Sequence, residues 1–455
     1  MKAKIYITDY STDKRLAFSG TKEFTEKNRD VLETFDKSDD VEANLINLHP
    51  DVTYHTFEGF GGGFTEAAAI AWSAMSDNKR AEFMKSYFDA NDGIGYTFGR
   101  VHMNSCDFCV NDYCFVKDGD EDLSTFDISH DKEKMIPMIK EAYKYAQRLR
   151  LFASPWSPPV YMKTNDKIQG GHLDRKYYAL WAKYFKKFAE EYKKAGVDIN
   201  MFTIQNEPRH NQQWESCLYT PEEEAEFLGY LAKELADTDI KIICYDHCRE
   251  RIYERAKAIF ESSSGKFCDG IAHHHYSGDH YGEIEIVKKC YPEKIQIMSE
   301  VCAFDREQGI KTENAFSFGE EYGYDICRSL KAGLNYYCDW NITLDEFNGP
   351  CHHREDRELV DTPVYCKAST DELVYQPSYY YIGHFSKFIR PGAVCIGIST
   401  FSEKLDVCAF KNTDNSIVCV VLNKNGFDME FYLRTDNSIL PYTAKAHTIM
   451  TFIME

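Results

Sequence analysis

From about residue 50 the chain repeats one pattern. A short apolar run ends in polar, glycine or proline residues, and a longer segment with apolar positions at helical spacing follows. The runs predict strands over His55–Gly61, Gly95–Met103, Leu149–Ser154, Asn200–Gln205, Lys241–Tyr245, Gly270–His274, Ile295–Ser299 and Leu334–Trp340. Several, such as IKIICY and KIQIM, are apolar at consecutive positions, as in a parallel strand covered on both faces. Between and after them, Asp131–Gln147, Asp174–Ala195, Phe316–Lys331 and Pro377–Ile389 read as amphipathic helices. Thr220-Pro221-Glu222-Glu223 reads as a helix start: an N-cap, a proline in the first helical position and a glutamate that closes a capping box. Gly196 reads as a helix stop. Strands and helices in alternation predict an α/β fold, a (β/α)8 TIM barrel.

The two ends follow a different period. Residues 1–48 contain short alternating stretches (KAKIYIT, RLAFSG), and residues 393–455 contain more (AVCIGISTF, LDVCAFKN, SIVCVVLN, MEFYLRT, AHTIMTFIM) separated by turn residues. They predict an antiparallel β-sandwich completed by the N-terminal strands, because a two-stranded piece alone is marginal. The expected division is 1–48 as strands that join the sandwich, 49–390 as the barrel and 391–455 as the C-terminal β-sandwich.

Charge and cysteine usage narrow the partners. A formal net charge of −20 disfavours nucleic acid and anionic membrane. The 16 cysteines are scattered, and many, such as Cys244, Cys408 and Cys419, sit inside apolar segments, which fits a reducing compartment. MKAKIYITDYSTDKRLAF lacks the apolar stretch of a signal peptide, and no window reaches the length of a transmembrane segment, so a cytoplasmic protein is expected.

Two glutamates stand just after apolar runs, Glu207 in TIQNEP and Glu300 in IMSEVC. In a barrel the strand C-terminal ends share one face, where chemistry sits. Glu207 follows candidate strand 4 and Glu300 candidate strand 7, so the two acids can meet over the barrel mouth. Pro208 favours an extended Glu207. Each acid alone reads more readily as a helix cap or a surface charge than as a catalytic group. As a pair they suit glycoside hydrolysis, where one carboxyl protonates the leaving oxygen and the other attacks the anomeric carbon or activates water. Trp156, Tyr276 and Trp340 also fall at strand ends and offer flat faces to sugar rings, although each alone fits rim packing.

The motifs FEGFGGGFTEAAA (57–69), RVHMNSCDF (100–108), ASPWSPP (153–159), QNEP (205–208), GIAHHHY (270–276), SEVC (299–302), DWN (339–341) and GHFSKFI (383–389) occur in this order. In them the chain resembles glycoside hydrolase family 30, closest to its glucosylceramidase branch. The resemblance implies a retaining β-glycosidase with Glu207 as general acid/base and Glu300 as nucleophile. It implies that Asp107 and Trp156 hold the glycone sugar, that Asn206 contacts the 2-hydroxyl, that Tyr276 lies near the nucleophile and that Trp340 lines a subsite. His274, in the strand 6 motif, is a further candidate sugar contact. A buried Arg100 beside the acids would keep Glu300 ionised, and burial would raise Glu207 towards neutrality. Three stretches depart from the branch's pattern: Asn348-Gly349-Pro350-Cys351-His352-His353-Arg354 after strand 8, Glu66 in place of an aspartate, and the three histidines 273–275.

Other chemistry is weaker. Cys106-Asp107-Phe108-Cys109 with Cys114 is a single CxxC, and the aspartate within it is better explained by the sugar site. Neighbouring strand residues point to opposite faces, so His273–His275 cannot all bind one ion, although one of them could join His352 or His353. His247 beside Asp246 could form a pair that supports the site, but a rim histidine is the favoured reading. The glycines of FEGFGGGF lack the spacing of a nucleotide loop. The expected activity needs no cofactor and no metal, and its partner is a β-linked glycoside or oligosaccharide. A β-1,6-glucanase, β-xylosidase or β-fucosidase of the same family, or a non-catalytic glycan-binding barrel, are the alternatives.

Overall fold

The computed structural model describes residues 1–26, 44–304, 316–352, 360–436 and 438–455. Four strands come first: β1 (Lys2–Asp9), β2 (Lys14–Glu23), β3 (Thr25–Glu26) and β4 (Leu45–Phe57). Eight parallel strands then close a barrel: β5 (Gly59–Phe64), β6 (Phe98–Met103), β7 (Arg150–Pro155), β8 (Met201–Thr203), β9 (Lys241–Cys248), β10 (Gly270–His274), β11 (Ile295–Glu300) and β12 (Tyr336–Asn341). A small sheet not foreseen from sequence follows: β13 (Leu344–Asp345), β14 (Val364–Lys367) and β15 (Glu372–Tyr375). β16 (Ala393–Thr400), β17 (Asp406–Lys411), β18 (Ile417–Asn423), β19 (Met429–Thr435), β20 (Ser438–Ala444) and β21 (Thr448–Met454) end the chain.

The (β/α)8 barrel and the sandwich expected from sequence are both present. The ten terminal strands hydrogen-bond in the order β2-β1-β21-β18-β17-β16-β4-β19-β20-β3, so N-terminal strands complete the C-terminal sheet structure. Their alternate apolar residues, Ile5, Leu48, Val407, Val421, Leu433 and Phe452 among them, form one core. The pairing is antiparallel except between β4 and β19, which run parallel.

Two boundaries differ from the sequence reading. His55–Phe57 closes the 13-residue β4, and the first barrel strand starts two residues later. The glycine run, only part of which falls in the expected strand His55–Gly61, is that strand. A Cβ on Gly61 would lie 1.9 Å from the Phe98 carbonyl oxygen, and one on Gly63 would lie 2.1 Å from that of Trp340, so β6 and β12 approach too closely for a side chain. Asp131–Gln147 is broken at Lys134 into Ser129–Glu133 and Met135–Ala142, because Pro137 cannot donate back to the preceding turn. The Thr220 capping box, the proline at the helix start and the positive φ of Gly196 are as expected.

The chain divides into two compact units. One holds Met1–Gly59, Gly309–Asn335 and Tyr375–Glu455, and the other holds Phe60–Gln308 and Tyr336–Val374. Helices Phe316–Ala332 and Pro377–Ser386, inside the segment 49–390, therefore group with the sandwich strands. They pack on each other, Gly319 against the Tyr381 ring. Among the described residues no helix is long and apolar enough to cross a membrane.

Candidate active site

The barrel interior is filled in layers. Phe98, Phe152, Met201, Ile243, Ala272, Ile297 and Tyr336, one from each of seven strands, form an apolar plug. Strand side chains alternate, so the residue two positions on points the same way, one layer nearer the C-terminal ends. On six of the seven strands those residues are Arg100, Ser154, Thr203, His274, Ser299 and Cys338, all but the last polar. β9 reaches the same layer by a different route. Tyr245 and Asp246 take φ of 77° and 54°, and the pairing of β9 with β10 slips there, which turns Asp246 rather than Tyr245 into the barrel.

Asp246 is the centre of this polar layer. Its Oδ2 accepts from Arg100 Nη2 at 2.8 Å, Ser154 Oγ at 2.8 Å and Thr203 Oγ1 at 2.6 Å. Its Oδ1 accepts from Ser299 Oγ and lies 3.0 Å from His274 Nε2. Burial pushes this carboxyl up, but the Arg100 guanidinium, His274 and Ser299 outweigh it and hold it well below the usual carboxylate range. The sequence reading named Asp246 only as a possible supporting partner of His247, and favoured the rim for that histidine. Both are buried, His247 at 1% exposure.

Arg100 ties this layer to the catalytic candidates. It donates Nη1 to Glu300 Oε2 and Nη2 to Asn206 Oδ1 at 2.8 Å. Tyr276 Oη donates to Glu300 Oε1 at 3.0 Å, so both oxygens of Glu300 are held. His274 Nδ1 sits between the acids, 3.5 Å from Glu207 Oε1 and 4.0 Å from Glu300 Oε1. Burial alone would push His274 down, but the Glu300, Asp246 and Glu207 carboxylates push it up to about 10.

Glu207 corrects two expectations. It is not extended but left-handed, with φ of 47°, fixed by its N–H donating to the Asp246 carbonyl at 2.9 Å. Nor does burial carry its carboxyl towards neutrality. Desolvation acts in that direction, but His274, then His247 and the Gln212 amide (Nε2 donating to Oε2 at 2.6 Å), bring it down to about 2. Glu207 is therefore ionised in the free site, with a proton held on the adjacent imidazole.

Glu207 and Glu300 share the wall of one cavity with Asp107, Trp156, Asn206, Tyr276 and Trp340. The Trp156 and Trp340 rings stack, with centroids 5.3 Å apart and an interplanar angle of 20°. His274, expected as a sugar contact, is off this wall, fully buried beneath the carboxylates. Of the histidine metal groupings weighed from sequence, none forms among the described residues: His275 Nε2 lies against the Cys302 carbonyl oxygen at 2.9 Å, and His352 Nε2 against Asp112 at 2.7 Å. Glu66 accepts from the Val110 N–H at 2.9 Å and pairs with His130 at 3.1 Å. In the loop after β12, Asn348 bonds Val360 and Tyr365, while His353 and Arg354 lie outside the described residues.

The buried charges predict a pH dependence with a definite sign. His274, raised when folded, adds stability that is complete below its ordinary value of about 6.5 and fades as pH climbs through about 10. Asp246, lowered when folded, adds stability that is complete above about pH 4 and is lost on acidification. In urea unfolding, the stability gap between wild type and His274→Gln is expected to be widest between about pH 4 and 6.5 and to narrow by about pH 10. A gap that widens with alkalinity would contradict this.

Comparison with known proteins matches the architecture. The glycosyl hydrolase family 30 TIM-barrel domain matches residues 57–389, and the glycosyl hydrolase family 30 beta sandwich domain matches residues 392–452. The chain is 30% identical over 432 residues to the lysosomal acid glucosylceramidase of Mus musculus, across 90% of this chain and 83% of that protein. It is 25% identical over 414 residues to an endo-1,6-beta-D-glucanase of Neurospora crassa, across 86% and 83%. The solved structure of SrfJ from Salmonella typhimurium matches with a TM-score of 0.92 at 30% identity over 100% of both chains. With barrel and sandwich both accounted for, and two glutamates facing one cavity at the strand ends, the chain belongs to glycosyl hydrolase family 30 and is a glycoside hydrolase.

Proposed function

We propose that the enzyme is a retaining β-glycosidase that cleaves β-glucosidic bonds by double displacement, with Glu300 as nucleophile and Glu207 as acid/base. The observation that carries this is one imidazole nitrogen within reach of both carboxylates. Laid end to end, the two contacts cap the oxygen separation in the lower part of the inverting range and leave the retaining spacing of about 5 Å open. Glu300 suits the nucleophile because both its oxygens are fixed and it faces the cavity.

The chemistry follows from the charges. Glu207, Glu300 and Asp246 face Arg100 and His274, which leaves net negative charge where an oxocarbenium-like transition state becomes positive. A sugar that fills the cavity expels water and makes an ionised Glu207 costlier, so the proton moves from His274 Nδ1 to Glu207 Oε1. Glu207 then protonates the leaving oxygen as Glu300 attacks the anomeric carbon. In the second step Glu207, again ionised, takes a proton from the water that releases the sugar. Asn206 has its Oδ1 committed to Arg100, which turns its amide nitrogen towards a substrate hydroxyl. Trp156 and Trp340 supply the apolar floor. The Neurospora crassa relative makes an endo-acting β-1,6-glucanase the second reading.

Glu207→Ala is expected to lose about 10³-fold or more in kcat on alkyl β-glucosides and far less on aryl β-glucosides with acidic leaving groups. Azide should restore the aryl rate and yield a β-glycosyl azide, and proton NMR of the wild-type reaction should show the β anomer first. An α product would establish inversion. Turnover of β-1,6-glucan but not of aryl β-glucosides would favour the glucanase.

A further inference from the structure

Beside Asp107, outside the network around Asp246, three soft ligands converge. His102 on β6, and Cys106 and Cys109 in the loop that leaves it, are each at most 1% exposed. The two Sγ atoms lie 3.7 Å apart, Cys109 Sγ lies 3.9 Å from His102 Nε2, and all three atoms fall within 4.8 Å of one another. Tetrahedral Zn–S bonds of about 2.3 Å set an S···S edge of about 3.8 Å, and a Zn–N bond of about 2.0 Å sets an N···S edge of about 3.5 Å. The measured sulfur spacing sits on the first edge and the His102 spacing close to the second.

The imidazole is also turned correctly. His102 Nδ1 is 2.6 Å from the Asn104 carbonyl oxygen, so Nδ1 carries the proton and the Nε2 lone pair faces the thiols. The Cys106 N–H donates to Cys109 Sγ at 3.3 Å, a contact that favours a thiolate. One contact competes: the Glu66 N–H donates to Nε2 at 3.2 Å and must lengthen when a metal binds. Cys114 is exposed, and its Sγ donates to the Val116 carbonyl at 3.1 Å, so it takes no part.

We propose that His102, Cys106 and Cys109 bind one Zn²⁺ in a buried structural site that pins the Asp107 loop to strand β6. Two thiolates and one imidazole select zinc over the hard cations. On binding, the two thiol protons leave to solvent, and both sulfurs and Nε2 each give an electron pair to the metal. The fourth position is left to a small exogenous ligand. The metal takes no part in bond cleavage.

The test uses the full chain, produced without a metal-binding tag and kept reduced. Element analysis after dialysis is expected to find about one Zn²⁺ per chain in wild type and on the order of a tenth of that in Cys109→Ser and in Cys106→Ser. Adding Co²⁺ to the stripped wild type should produce a thiolate-to-cobalt charge-transfer band that Zn²⁺ abolishes. Cys244 and Cys268, with Sγ atoms 3.1 Å apart, and Cys327 beside Cys408 are further close thiol pairs, and the two serine variants separate them from this site. No retained metal and no cobalt band in folded, reduced wild type overturns the proposal. So does a band that survives in both serine variants, or a loss of 2 Da in air without metal uptake, which would mean a disulfide. None of these readouts depends on the assigned glycosidase activity.

Discussion

Glu300→Gln is expected to reduce kcat on aryl β-glucosides by about 10⁵-fold or more, with little change in unfolding midpoint. The size of the rate effect follows from the loss of the attacking oxygen, for which an amide is no substitute. The small stability effect follows from the partners. A glutamine can present its oxygen to Arg100 and its NH₂ to Tyr276 Oη, which changes from donor to acceptor. Arg100 also keeps its bonds to Asp246 and Asn206. Steady-state kinetics on protein of verified purity is the check, and a variant that turns over at the normal rate would remove Glu300 from the mechanism.

Asp246→Ala is expected to be damaging in both respects. It touches no substrate, yet it removes the acceptor for Arg100, Ser154, Thr203 and Ser299 and the partner of His274. Breaking a buried ion pair on one side leaves uncompensated charge, at a cost of about 3–5 kcal/mol. Arg100 and His274 also lose the contact that aims them at Glu207 and Glu300, for an expected fall of about 10²–10³-fold in kcat. Asp246→Asn keeps an acceptor and should lose less stability while still losing rate. Urea titration beside kinetics separates the two effects, and a wild-type unfolding midpoint in Asp246→Ala would refute the central place given to this residue.

Much of the site could be read in the chain because period and position agree. Phe98, Phe152, Met201, Ala272 and Ile297 are apolar, and two residues on come Arg100, Ser154, Thr203, His274 and Ser299, a polar step inside otherwise apolar strands. Glu207 and Glu300 stand at strand ends, where barrel topology sends side chains to one face. The central place of Asp246 was not legible because β9 reaches the same layer through two left-handed residues, and no sequence period reports a bulge. The extended conformation expected of Glu207 failed because its N–H and the Asp246 carbonyl outweighed the local preference set by Pro208. The rise expected in Glu207 failed because the imidazole that opposes it comes from β10, far along the chain. β4 and β5 were misplaced by a few residues because a glycine run carries no periodicity.

The polar layer draws on β6, β7, β8, β9, β10 and β11, one or more side chains from each. No subset of these strands can hold Glu207 and Glu300 in the described geometry, since partners reach across the ring, Arg100 on β6 to Asp246 on β9 and Glu300 on β11 among them. Catalysis is therefore a property of the closed ring, with nothing partial beneath it. During refolding, the return of turnover should time the last strand's arrival, later than the return of helical signal, and the enzyme becomes a clock for the closing of its own barrel.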